Sequence, residues 1–309
     1  MHIKVKPNWF ITHERGTKRA LVPGQGLRSN GNNRKGGDVT GAARRALGEF
    51  DTTRPNIARM NDYFLGGKDN VAADREAAEQ LLAIAPEIQD IATENRRFLG
   101  RAVTYLAEQG VRQFLDIASG LPTRRNTHEV ARKVAPDARV IYVDKDPVVI
   151  SHGRAILAND EHTVVVNGDI LHPEELLTDP QVSRTVDFDE PVAVLIFGAL
   201  HFIPHSEDPF KCVAWLRDAL PSGSHLAISH VVFDTKPDVV DPIEDIYRGI
   251  FERPDAKAAR RTEDVLRFFD GWDLVEPGLV YVRQWRPDNP LSARSAEKIW
   301  VVGGVGRKP

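Results

Sequence analysis

The sequence predicts an α/β protein whose mostly parallel sheet is covered by helices on both faces. Three observations carry that expectation. First, short apolar runs (VRQFLDI, ARVIYVD, HTVVVNGD, PVAVLIFGAL, SHLAISHVV) alternate with helix-patterned segments across short turns. That order calls for parallel strands with helical crossovers. Second, PVAVLIFGAL is apolar at nearly every position, as a central strand buried on both faces must be. Third, the last two runs, DLVEPGLVYVRQW and EKIWVVGGVGR, are joined by RPDNPLSARSAE, which reads as a hairpin-like loop. An antiparallel edge strand is expected there.

The elements follow in order. Residues 1–48 are rich in Gly and Asn and poor in apolar side chains, so they are expected to form a flexible extension. Residues 49–109 should form a helical cap. Their apolar positions recur at three and four residues, with a break at Pro86 and a stop at Gly110. Residues 110–309 then supply the sheet domain. Gln113 to Ile117 is the first strand, THEVARKVAPDA a helix, ARVIYVD the second strand, DPVVISHGRAILAND a helix and HTVVVNGD the third strand. LHPEELL and PFKCVAWLRDAL are helical, as is part of 234–263, and EDVLRFFDGW is the last helix.

Composition limits the function. The 309 residues carry 41 basic and 44 acidic side chains, a net charge of -3, which gives no support for a nucleic-acid surface. No apolar stretch is long enough to span a bilayer, and the N-terminus lacks a signal-type apolar core, so a cytoplasmic protein is expected. Cys212 is the sole cysteine, so a cysteine metal cluster is excluded. The ten histidines include no H-E-x-x-H pair, and no metal is expected.

FLDIASGLPT holds the densest turn in the chain. Asp116 closes the first strand, and Gly120 lets backbone approach a ligand because it has no side chain. Free N–H groups near Thr123 could hold a carboxylate or phosphate. Asp144 ends the second strand, where a carboxylate can accept both hydroxyls of a ribose. Asp169 follows the third strand and can accept from an exocyclic amine such as that of adenine. Each aspartate alone is a common turn starter. Together, along one line of strand ends, they point to a nucleoside. A G-x-G-x-x-G dinucleotide fingerprint is missing, and Pro122 removes an N–H that a pyrophosphate would use. LGGKDN lacks P-loop spacing. A nucleoside without phosphates fits better, and S-adenosyl-L-methionine leads, since its sulfonium and amino group favour a site lined with carboxylates.

Residues 52 to about 287 resemble the actinobacterial S-adenosylmethionine-dependent methyltransferases formerly called DUF574. The resemblance rests on RMNDYFLGGKDNVAADRE, ATENRRFLGRAVTYLA, FLDIASGLPT, IYVDKDPVV, FGALHFIP, FFDGWDLVEPGLV and QWRPD. It implies a Rossmann-like, seven-strand methyltransferase sheet with a helical N-terminal cap. It also implies cofactor binding around Asp116, Ala118, Ser119, Gly120, Asp144, Lys145, Asp169 and Ile170. Two departures stand out. Ala118 replaces the first glycine of the turn, which requires ordinary backbone angles and clearance there. Arg124 and Arg125 follow the turn where small or neutral residues are usual.

Tyr63, just before the LGGKDN segment, is a catalytic candidate, and with the cofactor-binding candidate Asp69 it could form a lid over the methionine end of the cofactor, against the plainer role of a capped helix start. Arg96 could hold the cofactor carboxylate, or be a surface helix charge. His201, just after FGAL, could line the acceptor pocket or take a proton. His230 ends the next strand and carries the same two readings. The expected activity is methyl transfer to an O or N atom of a small molecule, with no nucleic-acid or membrane partner and with a homodimer allowed. The rivals are a non-catalytic cofactor-binding or regulatory protein and a nicotinamide-dependent oxidoreductase.

Overall fold

A computed structural model describes residues 51–123, 125–157, 160–254 and 256–309. The expected extension at 1–48 and the departure at Arg124 lie outside these residues. The described chain opens with three helices: α1 (Ile57–Phe64), α2 (Ala72–Ile84) and α3 (Ile88–Glu108). It then alternates through β1 (Gln113–Ile117), α4 (Thr127–Ala131), β2 (Arg139–Asp144), α5 (Pro147–Ile156) and β3 (Thr163–Asn167). Next come α6 (Pro173–Thr178), α7 (Pro180–Thr185), β4 (Ala193–Phe197), α8 (Pro209–Ala219) and β5 (His225–Val231). The last part holds α9 (Val240–Phe251), α10 (Thr262–Leu266), β6 (Asp273–Leu274), β7 (Val280–Tyr281) and β8 (Val301–Arg307).

Local chemistry sets the starts of these elements. α5, α7 and α8 each begin with Asp-Pro. The aspartate side chain accepts a first-turn N–H, from Val148 at 2.8 Å, Gln181 at 2.7 Å and Lys211 at 3.3 Å respectively. The proline supplies a helical φ where no N–H partner is needed. In α1 the Asn56 side chain accepts from the Arg59 amide at 3.0 Å. The Arg59 guanidinium then pairs with the fully buried Asp74 at 2.7 Å. Asp74 also accepts the Asn56 and Val71 amides, each at 2.8 Å, so its charge is fully satisfied inside the α1–α2 corner.

The sheet order is β3-β2-β1-β4-β5-β8-β6, with β7 also pairing with β8. β1 to β5 are parallel and β8 runs antiparallel to β5. The mostly parallel α/β sheet with N-terminal helices is the expected architecture. Two details differ. The antiparallel strand is not at the edge: β8 lies between β5 on one side and β6 and β7 on the other. The run DLVEPGLVYVRQW is not one strand but two short pieces. Pro277 has no N–H to give the ladder, and Gly278 turns the chain with φ +86°.

β8 can sit inside because it is VVGGVGR. A Cβ on Gly303 would stand 2.6 Å from the Phe98 ring, and one on Gly306 would stand 2.7 Å from Trp272. The missing side chains let an aromatic ring rest directly on strand backbone from each face. Phe98 comes from α3, and its ring meets Phe197 of β4 and Trp285 edge-on, at 5.5 and 5.4 Å. α3 is therefore core, bound to the sheet along its length. Arg101, one turn on, donates to the Trp285 carbonyl at 2.9 Å. The two faces carry separate apolar layers. One lies under α1 to α4 and α9, the other under α6 to α8 and α10. No described helix is long and apolar enough to cross a membrane.

Gly303→Ala is expected to destabilise the protein by about 1–3 kcal/mol, because the ring above it is fully buried and cannot swing away. Urea denaturation reads this directly. Adding Phe98→Leu to the Gly303→Ala variant should recover part of the loss; strictly additive losses would show that the two groups do not press on each other.

Candidate functional site

The carboxyl ends of β1, β2, β4 and β5 gather polar side chains that the core does not need. Alternation along β1 turns Phe114 and Asp116 toward the α3–α4 layer, and Leu115 and Ile117 toward the other. Asp116 pairs in register with Tyr142 of β2, so Asp144, two residues on, projects from the same face. The two carboxylates thus lie on one face of adjacent strands, diagonal to each other by one side-chain repeat. Asp116 is buried and accepts a 2.6 Å hydrogen bond from Thr127 at the start of α4. Burial pushes its carboxyl up to about 6; the Thr127 bond and the Arg96 charge oppose that rise, and Asp144 adds to it. Burial also raises Asp144, although its oxygens accept the Asp146 and Gly120 amides at 3.0 Å each.

The turn after β1 is left-handed twice. Gly120 has φ +68°, and a Cβ there would meet no atom of the described residues within 4 Å. Among the described residues, the Gly120 backbone is thus uncovered beside Asp144. Ala118 has φ +56°. The condition for alanine at this position, ordinary backbone angles, is not met: the residue sits where glycine is favoured and carries the strain of its methyl. The Ser119 amide donates to the Val143 carbonyl at 3.1 Å, which ties the turn to β2.

α4 begins at Thr127, as the sequence predicts, but the free N–H expected near Thr123 is taken by Asn126. Its side-chain oxygen accepts the Thr123 amide at 3.0 Å, and its own amide donates to Glu129 at 2.9 Å. Arg125 has φ +63°, and its guanidinium lies along Gly100 of α3. Arg96 reaches the same place from α3. It donates to the Arg125 carbonyl at 3.2 Å and to Asn126 at 3.4 Å. Its Nε is sealed from solvent and has no partner among the described residues. Burial lowers its pKa, and the Asp116 charge works against that. Arg96 is thus a half-buried cation facing Asp116, unlike a surface helix charge.

Asp169 lies just past β3 and pairs with Lys145 at 2.9 Å, while its other oxygen accepts the Leu171 amide at 3.1 Å. Ile170 beside it is buried. Asp62, not Asp69, organises the LGGKDN loop. Its carboxylate accepts the Asp69 amide and the Asn70 side chain, both at 2.8 Å. A Cβ on Gly67 would fall 1.8 Å from that carboxylate, which explains the second glycine. The Asp69 side chain is exposed, and the Tyr63 hydroxyl donates to Glu79 of α2.

At β4 the chain turns through Gly198 with φ +62°. The Gly198 amide donates to the Ser229 hydroxyl at 2.9 Å, and that hydroxyl donates to Asn95 of α3 at 2.5 Å. His201 follows on a short 3-10 turn, Leu200–Phe202, its ring against the Gly198 backbone. Its Nδ1 is sealed and has no partner among the described residues. Burial, with the charge of Arg260 behind it, pushes its pKa down to about 3. His230 is fully buried and held well below its usual value, mainly by burial. Both imidazoles are neutral at pH 7. Arg260, Thr127, Asn126 and Ser229 had no signal that singled them out, except that Ser229 is a polar residue inside an apolar strand.

The chain matches an S-adenosyl methyltransferase family over residues 43–309. Two solved structures are close to it. A protein from Thermobifida fusca YX, assigned as a methyltransferase, is 43% identical, with 85% of this chain and 97% of that chain covered and a TM-score of 0.77. A DUF574 family protein from Streptomyces avermitilis MA-4680 is 38% identical, with 84% and 99% covered and a TM-score of 0.78. No protein with a curated description matches. The chain belongs to this S-adenosyl methyltransferase family.

Ala118→Gly should raise stability. Relief of left-handed strain, about 1–2 kcal/mol, outweighs the added freedom of the unfolded chain, about 0.4–1 kcal/mol. A net gain near 0.5–1 kcal/mol is expected in chemical denaturation; a loss would mean that the methyl is held by favourable contacts.

Proposed function

We propose that, as a member of this family, the chain binds S-adenosyl-L-methionine at the β1–β2 rim and transfers its methyl group to an oxygen or nitrogen of a small molecule. The observation that carries the reading is the same-face pair Asp116 and Asp144, flanking the open backbone of Gly120, with Arg96 beside it. The residues fit the cofactor's parts. Asp144 keeps lone pairs for the ribose hydroxyls, and Gly120 clears the space beside them. Asp169, with Lys145 and Ile170, borders the place for the base. Asp116 suits the ammonium group, and the Arg96 guanidinium the carboxylate. When bound, the cofactor supplies an activated methyl on a cationic sulfur.

What the chain adds is alignment and a dry floor. Methyl transfer to a good nucleophile needs reacting atoms held in line more than it needs a dedicated base. His201, with a pKa near 3, is too weak a base to hold a proton at neutral pH, so a wall role suits it better than proton removal. A pyrophosphate cofactor fits less well. Pro122 has no N–H, and Asn126 already occupies the Thr123 amide.

Calorimetric titration with S-adenosyl-L-methionine and its demethylated product should show binding tighter than millimolar, and no heat at millimolar ligand would overturn the reading. Asp144→Ala should weaken affinity about tenfold or more, from loss of charge-assisted hydrogen bonds.

The same titration has a pH signature. A cationic ligand beside Asp116 favours the ionised carboxylate. Protonation therefore competes with binding, and affinity should fall as pH drops through about 6 and level off above it. Asp116→Asn should flatten most of that dependence. For the unliganded protein the sign is opposite. The raised pKa of Asp116 adds stability that is full below the ordinary carboxylate range and is lost as pH rises through about 6.

A further inference from the structure

We infer that the methyl acceptor is an aromatic hydroxyl, seated against the Phe202 ring with its oxygen toward His201. The inference rests on the methyl-transfer reading and deepens it by naming the substrate class.

Beyond Gly198 the rim changes character. The His201 and Phe202 rings lie 4.0 Å apart, and Phe202 meets Tyr247 of α9 edge-on at 5.1 Å. Phe251, one turn along α9, lies 6.0 Å from Phe202 at the outer lip and is 37% exposed. This is a shelf of rings, half open, on the side of β4 away from Asp144. Flat apolar ligands gain most from such walls, through edge and face contacts with the rings.

Two polar tips on the shelf are idle. His201 makes no hydrogen bond among the described residues; its Nδ1 is sealed from solvent, so the other ring nitrogen is the one a ligand can reach. The Tyr247 hydroxyl also has no described protein partner, and only burial acts on its pKa, upward. A ligand that is aromatic but carries one small polar group would satisfy both demands.

The sign of the local charge selects among polar groups. The charge that acts on His201 is Arg260, which is 2% exposed and pairs with no carboxylate among the described residues. Its guanidinium donates to the carbonyls of Leu200 at 2.9 Å, Ile203 at 3.0 Å and Ala258 at 3.1 Å. It thus clamps the turn that carries His201 and Phe202, and it lies over the Phe210 and Phe268 rings. The acid that offsets it, Asp264, caps its own helix by accepting the Arg261 amide. Glu244, on the same helix as Tyr247, is taken by Arg248 and by the Ala258 and Ala259 amides. Asp245 and Glu252, beside Tyr247 and Phe251, are likewise paired, with Arg248 and Arg54. An ammonium acceptor at His201 meets the charge of Arg260. An aryl oxygen losing its proton is stabilised by that field.

The step balances without a resident base. The phenolic proton leaves to solvent. The oxygen lone pair forms the new O–CH3 bond as the S–CH3 bond breaks and its pair returns to sulfur. The products are an aryl methyl ether and a neutral thioether, so the positive charge of the donor is discharged next to Arg260.

The test uses the full chain with three matched probes: 2-naphthol, 2-naphthylamine and 2-naphthylmethylammonium. Binding is read by ligand-observed NMR in the presence of the demethylated cofactor, and transfer by a radiolabelled methyl donor. Expected are 2-naphthol binding at least about tenfold tighter than the cation, label recovered as the methyl ether, and weaker naphthol binding in Tyr247→Phe, by about fivefold for one lost hydrogen bond. The inference falls if the cation binds as well as the naphthol, if label goes to nitrogen in preference, or if none of the probes binds while the cofactor does. Failure of the cofactor itself to bind removes the underlying reading as well, and the titration without probes separates the two results.

Discussion

The functional rim depends on how closely α3 lies on the sheet. Phe98 can touch the backbone of β8 only because Gly303 has no side chain. That contact sets the height of the helix. Asn95 and Arg96, about one turn before Phe98, are then low enough to reach the strand ends. Asn95 takes the Ser229 hydroxyl, which in turn holds the Gly198 amide. Arg96 comes to face Asp116. A bulkier residue at 303 would lift the helix and move both groups, although neither touches residue 303.

The same packing determines the electrostatics. Closing α3 and α4 over β1 and β2 strips water from Asp116, Arg96 and Tyr142, and each is shifted against its charged form. A carboxylate buried this way costs free energy unless something compensates it. Thr127 and Arg96 compensate Asp116 in part. A cationic ligand would complete the compensation, which is why the site is better suited to the ligand than to its own apo state. Binding sites commonly hold such unfinished polar groups, whereas the Arg59–Asp74 pair in the helical corner is finished within the protein.

Much of this was legible in the sequence, for physical reasons that differ by element. The parallel strands were readable because burial on both faces demands continuous apolar runs, and β1 matches the expected Gln113 to Ile117. The line of strand-end aspartates was readable because Asp interrupts such runs without a packing purpose. The inner position of β8 was not, since its cause is long-range: three glycines make room for Phe98, Phe269 and Trp272, which lie far away in sequence. Nor was the left-handed Ala118, because φ is set by the turn and not by the residue that occupies it. Asp62 was overlooked beside the more conspicuous GGKDN, yet its carboxylate is what bends that loop. Arg260 gave no signal at all: a buried arginine held by carbonyls looks in sequence like any surface charge.

The rim has two chemically different halves on either side of Gly198. On the β1–β2 side, the carboxylates of Asp116, Asp144 and Asp169 stand around the Gly120 turn with Arg96 and Lys145 among them. On the β4–β5 side, the charge is Arg260, and the histidines are held neutral by burial and by its field. Under the proposed methyl transfer, a cationic donor would favour the carboxylates and an electron-rich acceptor the Arg260 side, with Gly198 between them, packed against Asn95 and fixed by Ser229. The positions of these groups trace back to the packing of one ring on one glycine.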